Sequence, residues 1–132
     1  KPSSVLISEN GLLKLDGCDA SVQLEDDGSK RQRVVDSSLL IAPEVVANTP
    51  CLKSDVWSLG ISLLEMAEGK HPYSGCTPFQ VVKKVAMEPP PALTSSHFST
   101  DFADFIRQCL QKDPEERSSV RVLLQVRRKR GE

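Results

Sequence analysis

The chain has 132 residues, 39% of them hydrophobic, with 17 basic and 18 acidic side chains and a net charge of −1. That length supports one domain with one core, and the balanced charge gives no electrostatic reason to expect nucleic acid or an anionic membrane as partner. No apolar run approaches the ~20 residues that cross a bilayer, and the first residues lack signal-peptide order, so a soluble cytoplasmic protein is expected. Cys18, Cys51, Cys76 and Cys109 are widely spaced, form no CxxC pair and have no clustered His, which argues for reduced thiols rather than zinc or disulfides.

Val5-Leu6-Ile7-Ser8, Glu9-Asn10-Gly11 and Leu12-Leu13-Lys14-Leu15 predict a β-hairpin, with Asn-Gly supplying the positive φ angles of a short turn. The run from Glu25 to Asp36 mixes charges without apolar periodicity and reads as a partner-ordered or mobile loop. Ser54 to Glu68 is the strongest helix: Ser54 is placed to cap it, Asp55 sits in the first turn and Gly69 stops it. Its apolar residues occupy more than one face, which predicts a central, buried position. Thr77-Pro78 opens a second helix through Phe79, Val82, Val85 and Ala86, ended by Glu88-Pro89-Pro90-Pro91.

Between Ser99 and Gln111, Phe102, Phe105, Ile106, Cys109 and Leu110 recur at helical spacing and form one apolar stripe. Asp113-Pro114-Glu115-Glu116-Arg117 is a turn, and Val120, Leu123, Leu124 and Val126 support a last helix running into Arg127-Arg128-Lys129-Arg130. Those four basic residues suit the negative end of a helix, and a nuclear localisation signal or a docking patch for acidic partners is the alternative. The expected fold is mainly α with one small β-hairpin.

The segments KPSSVLI, APEVV, SDVWSLGISLLEMAEGKHPY, CTPFQVVKKV and DPEERSS stand in the order and near the spacing of the C-terminal lobe of eukaryotic protein kinases, which the chain resembles over essentially its whole length. Within kinases, TPFQVVKKV and the helix downstream look most like the MAP kinase kinases, with the broader group of kinases acting upstream in MAP kinase cascades as the close competitor. The resemblance implies a partial kinase domain over residues 1–132: the end of the catalytic loop, an activation segment at 17–44, a helical lobe at 45–127 and a basic tail at 127–132. It implies that Lys1 is the catalytic-loop lysine two residues after the catalytic Asp, which would lie before residue 1 together with the Gly-rich loop and its lysine. ATP and Mg²⁺ are the implied cofactors, and this chain alone is not expected to bind them.

Two implied positions depart from the family pattern. Ser4 stands where the family places its second metal-binding Asn, and Gly17-Cys18-Asp19 stands where a gap-free reading puts Asp-Phe-Gly. Mg²⁺ bridges phosphate oxygens in phosphoryl transfer, so losing its anionic ligand removes several kcal/mol of transition-state stabilisation, each ~1.4 kcal/mol being tenfold in rate. Asp16 alternates to the opposite side of an extended strand, whereas Asp19 lies on the side of Gly17 and would need a bulge there to take over.

Ala42-Pro43-Glu44 resembles the APE motif, and Arg117 the arginine that pairs with its Glu. Asp55 resembles the buried Asp that holds the catalytic loop from the central helix. Asp27 and Arg31 fall near the two family phosphorylation sites, with Ser29, Ser37 and Ser38 as remaining acceptors, so the usual double phosphorylation is not expected. His71 and His97 have no partner that suggests catalysis. Two functions follow from the resemblance: a pseudokinase or partner-binding lobe, or an active MAP kinase kinase-like enzyme completed by upstream residues. A MAP kinase or an upstream kinase is the expected protein partner. The isolated chain is expected to expose an apolar patch around the helix from Asp55 to Glu68 and to be marginally stable or self-associating.

Overall fold

The computed structural model describes residues 1–17 and 38–128. Strands β1 (Val5–Ile7) and β2 (Leu13–Leu15) pair antiparallel, with Val5 opposite Leu15 and Ile7 opposite Leu13. The expected hairpin is present, but its turn is longer than an Asn-Gly pair alone would make. Gly11 takes a φ of 78°, Asn10 does not become left-handed, and the Gly11 N–H closes the turn on the Ser8 carbonyl. That is a turn followed by one left-handed residue, a role for which glycine carries no Cβ penalty.

Five helices follow: α1 (Pro43–Val46), α2 (Ser54–Glu68), α3 (Pro78–Met87), α4 (Thr100–Cys109) and α5 (Val120–Arg128). Helix α2 is the spine. Trp57, Ile61 and Leu64 from α2, Val81 and Val85 from α3, and Ile106 and Leu110 from the α4 region form the main core. A smaller cluster joins Val56 to Cys109 and Leu123, attaching α5 to the opposite side. Helix α4 lies close against α2 because residue 60 is glycine: a Cβ there would stand 2.8 Å from the Cys109 Cβ and from the Leu110 Cδ2.

The helix boundaries show which local signals the tertiary fold overrode. The N-cap of α2 is Lys53, not Ser54, and it makes no side-chain cap bond. The Ser54 hydroxyl instead donates to Glu44 Oε1 at 2.7 Å and accepts the Cys51 N–H at 3.1 Å, so a buried carboxylate outcompetes the helix end. Gly69 does end α2, at φ 66°. Helix α3 begins as expected with Pro78, under a full capping box: Gln80 N–H to Thr77 Oγ1 at 3.3 Å and Thr77 N–H to Gln80 Oε1 at 2.8 Å. Its buried face is Val81 and Val85, while Phe79, expected to contribute, is 78% exposed. Helix α4 is capped by Ser99 through the Phe102 N–H and ends two residues before Gln111. In α5 Leu123 reaches the core, while Val120 and Leu124 are exposed, and the side chain of Val126 lies outside the described residues.

Helix α2 is covered on Val56, Trp57, Gly60, Ile61 and Leu64 but exposes Leu59 and Met66, at 41% and 50%. The hairpin adds more exposed apolar surface, through Leu6, Ile7, Leu12, Leu13 and Leu15, with Leu15 at 77% exposure.

Candidate functional site

A short 3₁₀ turn, Pro2–Ser4, leads into β1, and the Ser4 N–H closes it on the Lys1 carbonyl at 2.9 Å. The Asp16 N–H donates to the Ser4 carbonyl at 2.9 Å, which brings the end of β2 back to the start of β1. Ser4 and Gly17 are thereby neighbours. Gly17 has a φ of 79°, and a Cβ built on it would lie 3.6 Å from Ser4 Oγ, an ordinary contact. The two positions that the resemblance assigns to metal ligands therefore converge on one corner of the fold, beside an exposed Lys1.

The donors at that corner do not suit Mg²⁺. Magnesium asks for near-octahedral oxygen coordination and one or two carboxylates alongside substrate phosphates. Ser4 offers a hydroxyl and Gly17 offers no side chain. The Asp16 carboxylate turns back on its own backbone, its Oδ1 accepting the Gly17 N–H at 2.7 Å. No group of three or more His, Cys, Asp or Glu side chains able to hold a metal gathers among the described residues. Asp19, the residue considered as a substitute, lies outside the described residues, as do Cys18, Asp27, Ser29, Arg31 and Ser37. Ser38 opens a 3₁₀ turn, Ser38–Leu40, at the far end of that segment.

The segment's C-terminal anchor is built tightly. Ser58 Oγ donates to the Leu40 carbonyl at 3.0 Å, pinning the turn to α2. Glu44 then enters the interior and meets Arg117 in a two-pronged pair, Nη1 to Oε1 at 2.6 Å and Nη2 to Oε2 at 2.9 Å, with side-chain exposures of 5% and 0%. A buried guanidinium is tolerable only when its donors are satisfied. Here all five are: Nε donates to the Gln111 carbonyl, and the second N–H of each terminal nitrogen to the Lys53 and Lys112 carbonyls. The guanidinium also lies over the Trp57 ring, 5.3 Å from its centroid. Burial pushes the Glu44 carboxyl upward, but hydrogen bonds from Arg117 and Ser54 outweigh it and hold the group below its ordinary value, ionised. Lys53 reinforces the joint by donating Nζ to the Pro114 and Glu115 carbonyls.

Asp55 is exposed on the first turn of α2, and part of the partner set that the resemblance implies for it lies before Lys1. His71 is held neutral by burial; its Nδ1 accepts the Tyr73 N–H at 3.1 Å, which leaves the proton on Nε2. His97 packs on Phe98, ring centroids 4.2 Å apart. Neither arrangement suggests proton transfer.

One feature was missed from sequence. Glu68, the last residue of α2, takes hydrogen bonds from the Thr94 and Ser95 backbone N–H groups and from both their hydroxyls. Those bonds, the backbone ones foremost, lower its pKa to about 2. A signal existed: a carboxylate at the negative end of a helix is unfavourable unless other donors hold it.

Residues 1–127 match the protein kinase domain family. The chain belongs to the protein kinase family. It is 40% identical over 124 residues to the serine/threonine-protein kinase ppk11 of Schizosaccharomyces pombe, covering 93% of this chain and 40% of that protein. It is 39% identical over 122 residues to cst-1 of Caenorhabditis elegans and 37% over 128 residues to hippo of Drosophila melanogaster, both serine/threonine-protein kinases, covering 24% and 19% of their lengths. The lobe thus spans well under half the length of these relatives. Their printed names point to serine/threonine kinases, and nothing in them singles out the MAP kinase kinases that the sequence motifs suggested.

Proposed function

We propose that this kinase lobe is catalytically inactive and works as a pseudokinase or partner-binding lobe. One observation carries the reading: at the corner where Ser4 and Gly17 meet, Gly17 offers no side chain, Ser4 offers only a hydroxyl, and the neighbouring Asp16 turns Oδ1 to the Gly17 N–H. Without an anionic ligand for magnesium, charge developing on a transferred phosphoryl group would go uncompensated, a loss of several kcal/mol and hence of orders of magnitude in rate. The architectural side of the family is intact by contrast, since Glu44 and Arg117 clamp the end of the activation segment. Retained architecture with lost metal ligands is what a binding lobe needs. By the resemblance alone, the partner is a kinase of a MAP kinase cascade.

The second reading is an active enzyme completed by an upstream nucleotide lobe. A Cβ at position 17 would lie 3.6 Å from Ser4 Oγ, but the φ of 79° strains any side chain there, Asp less than most. Thermal shift of the full-length protein with ATP, with and without Mg²⁺, separates the two. No Mg²⁺-dependent shift is expected from the native protein. The double substitution Ser4→Asn with Gly17→Asp is expected to create one of several degrees. A native protein already stabilised by Mg²⁺–ATP and transferring phosphate to a generic protein substrate would rule out the inactive reading.

A further inference from the structure

Between α3 and α4 the chain runs as an irregular strap over residues 88–99, three of whose members are consecutive prolines. The strap is fastened at two places. At its start, Lys112 Nζ donates to the Ala86 and Glu88 carbonyls at 2.7 and 3.0 Å. At its middle, Glu68 gathers four hydrogen bonds: Oε1 from the Thr94 and Ser95 N–H groups at 2.6 and 3.1 Å, and Oε2 from their hydroxyls at 2.9 and 3.0 Å. Between the two fastenings, Pro90, Pro91 and Leu93 form one wall of a groove of about 380 Å³, with Ile106 and Leu110 on the α4 side.

Glu68 makes no ion pair among the described residues, so only hydrogen bonds compensate its charge. It also ends α2, where the helix carbonyls add further negative potential. A second anion at this spot would meet a carboxylate and a helix C-terminus together, the arrangement in which added phosphate disrupts rather than orders. Thr94 is exposed and its neighbour Ser95 half-buried, so of the two hydroxyls Thr94 is the accessible one. It also sits in irregular chain outside any helix or strand.

From this geometry we infer that Thr94 is a phosphoacceptor and that a phosphoryl group there unlatches the strap from Glu68. The donor is ATP, delivered by a serine/threonine kinase acting in trans. The Thr94 hydroxyl oxygen bonds to the γ-phosphorus, the bond from that phosphorus to the β,γ-bridging oxygen breaks with its electron pair leaving on ADP, and the hydroxyl proton passes to that kinase's base. The new dianion removes the Thr94 hydroxyl donor and repels Glu68, so the two backbone N–H bonds part with it. The inference is independent of whether this lobe itself transfers phosphate.

Two measurements test it on the full-length protein. In protein isolated from its own cells under phosphatase inhibition, mass spectrometry of the tryptic peptide 85–107 is expected to place phosphate on Thr94. An unmodified peptide, or phosphate only on another residue of it, overturns the assignment. Hydrogen exchange is then compared for the native protein, for protein carrying genetically encoded phosphoserine at position 94, and for Thr94→Ala. The phosphorylated form is expected to exchange its 94 and 95 amides at least about tenfold faster, with the α2 and α4 core amides unchanged. Thr94→Ala, which keeps both backbone bonds, should stay within about threefold of native. Unchanged exchange at 94 and 95, or equal acceleration of the core amides, overturns the latch.

Discussion

Arg117 shows how much can hang on one buried side chain. Its five donors reach one carboxylate and three carbonyls, and its face covers Trp57, so the group joins α1, the start of α2 and the turn before α5. Arg117→Ala strands the Glu44 charge and is expected to cost about 3–5 kcal/mol. Arg117→Lys should lose nearly as much, because an ammonium cannot supply the planar fork. Urea titration of both variants checks this. The Glu44 carboxyl is depressed below its ordinary 4.5 in the fold. The clamp's contribution is therefore complete above about pH 4.5 and disappears as pH falls through the lower, folded value. Denaturation curves from pH 7 to pH 3 should show that loss in the native chain, while Glu44→Gln is already weak at neutral pH and flatter across this window. Cys109 tells a related story: burial pushes its thiol up to about 12, so it should resist alkylation until the chain unfolds, whereas half-exposed Cys51 and Cys76 react first in timed iodoacetamide labelling.

Among the elements, the contact of α2 with α4 is set by Gly60. Gly60→Ala places a Cβ 2.8–2.9 Å from Cys109 and Leu110 atoms, which must shift, and overpacking of this kind typically costs about 1–3 kcal/mol. Circular dichroism melts should show a lower midpoint with helix content preserved. Helix α3 depends on its start rather than on a broad buried face, since Val81 and Val85 are its only fully buried residues. Thr77→Ala removes one half of the capping box and should cost about 1 kcal/mol, read in the same melts. The starting signal Thr77-Pro78 was legible in sequence because it is satisfied within three residues of chain, as is the Ser99 cap that the structure shows. The Ser54 cap was not, because its competitor, Glu44, arrives from ten residues upstream with a buried charge to satisfy.

At the scale of the whole molecule, the hairpin leaves five large aliphatic side chains in water, with Ile7 71% exposed beside its partner Leu13. Surfaces of this kind associate. The isolated chain should show concentration-dependent sedimentation, relieved by Leu13→Lys with Leu15→Lys, and a strictly monomeric native chain over the accessible concentration range would contradict it.

The sequence by itself determined the protein kinase family, the order of the helices and the hairpin, because periodicity, caps and motif residues act through short stretches of chain; the pairing of Glu44 with Arg117, 73 residues apart, was implied by the resemblance to that family. The sequence also shows that position 17 offers no side-chain ligand, since glycine has none in any fold. Only the tertiary structure decided that Ser4 and Gly17 share one corner, that Asp16 is occupied by its own backbone, that Asp55 faces solvent, and that Glu68 fastens a strap 26 residues away. Each of these depends on which charged or polar groups meet after packing, and the free energy of a carboxylate is set by the donors around it rather than by its neighbours in sequence.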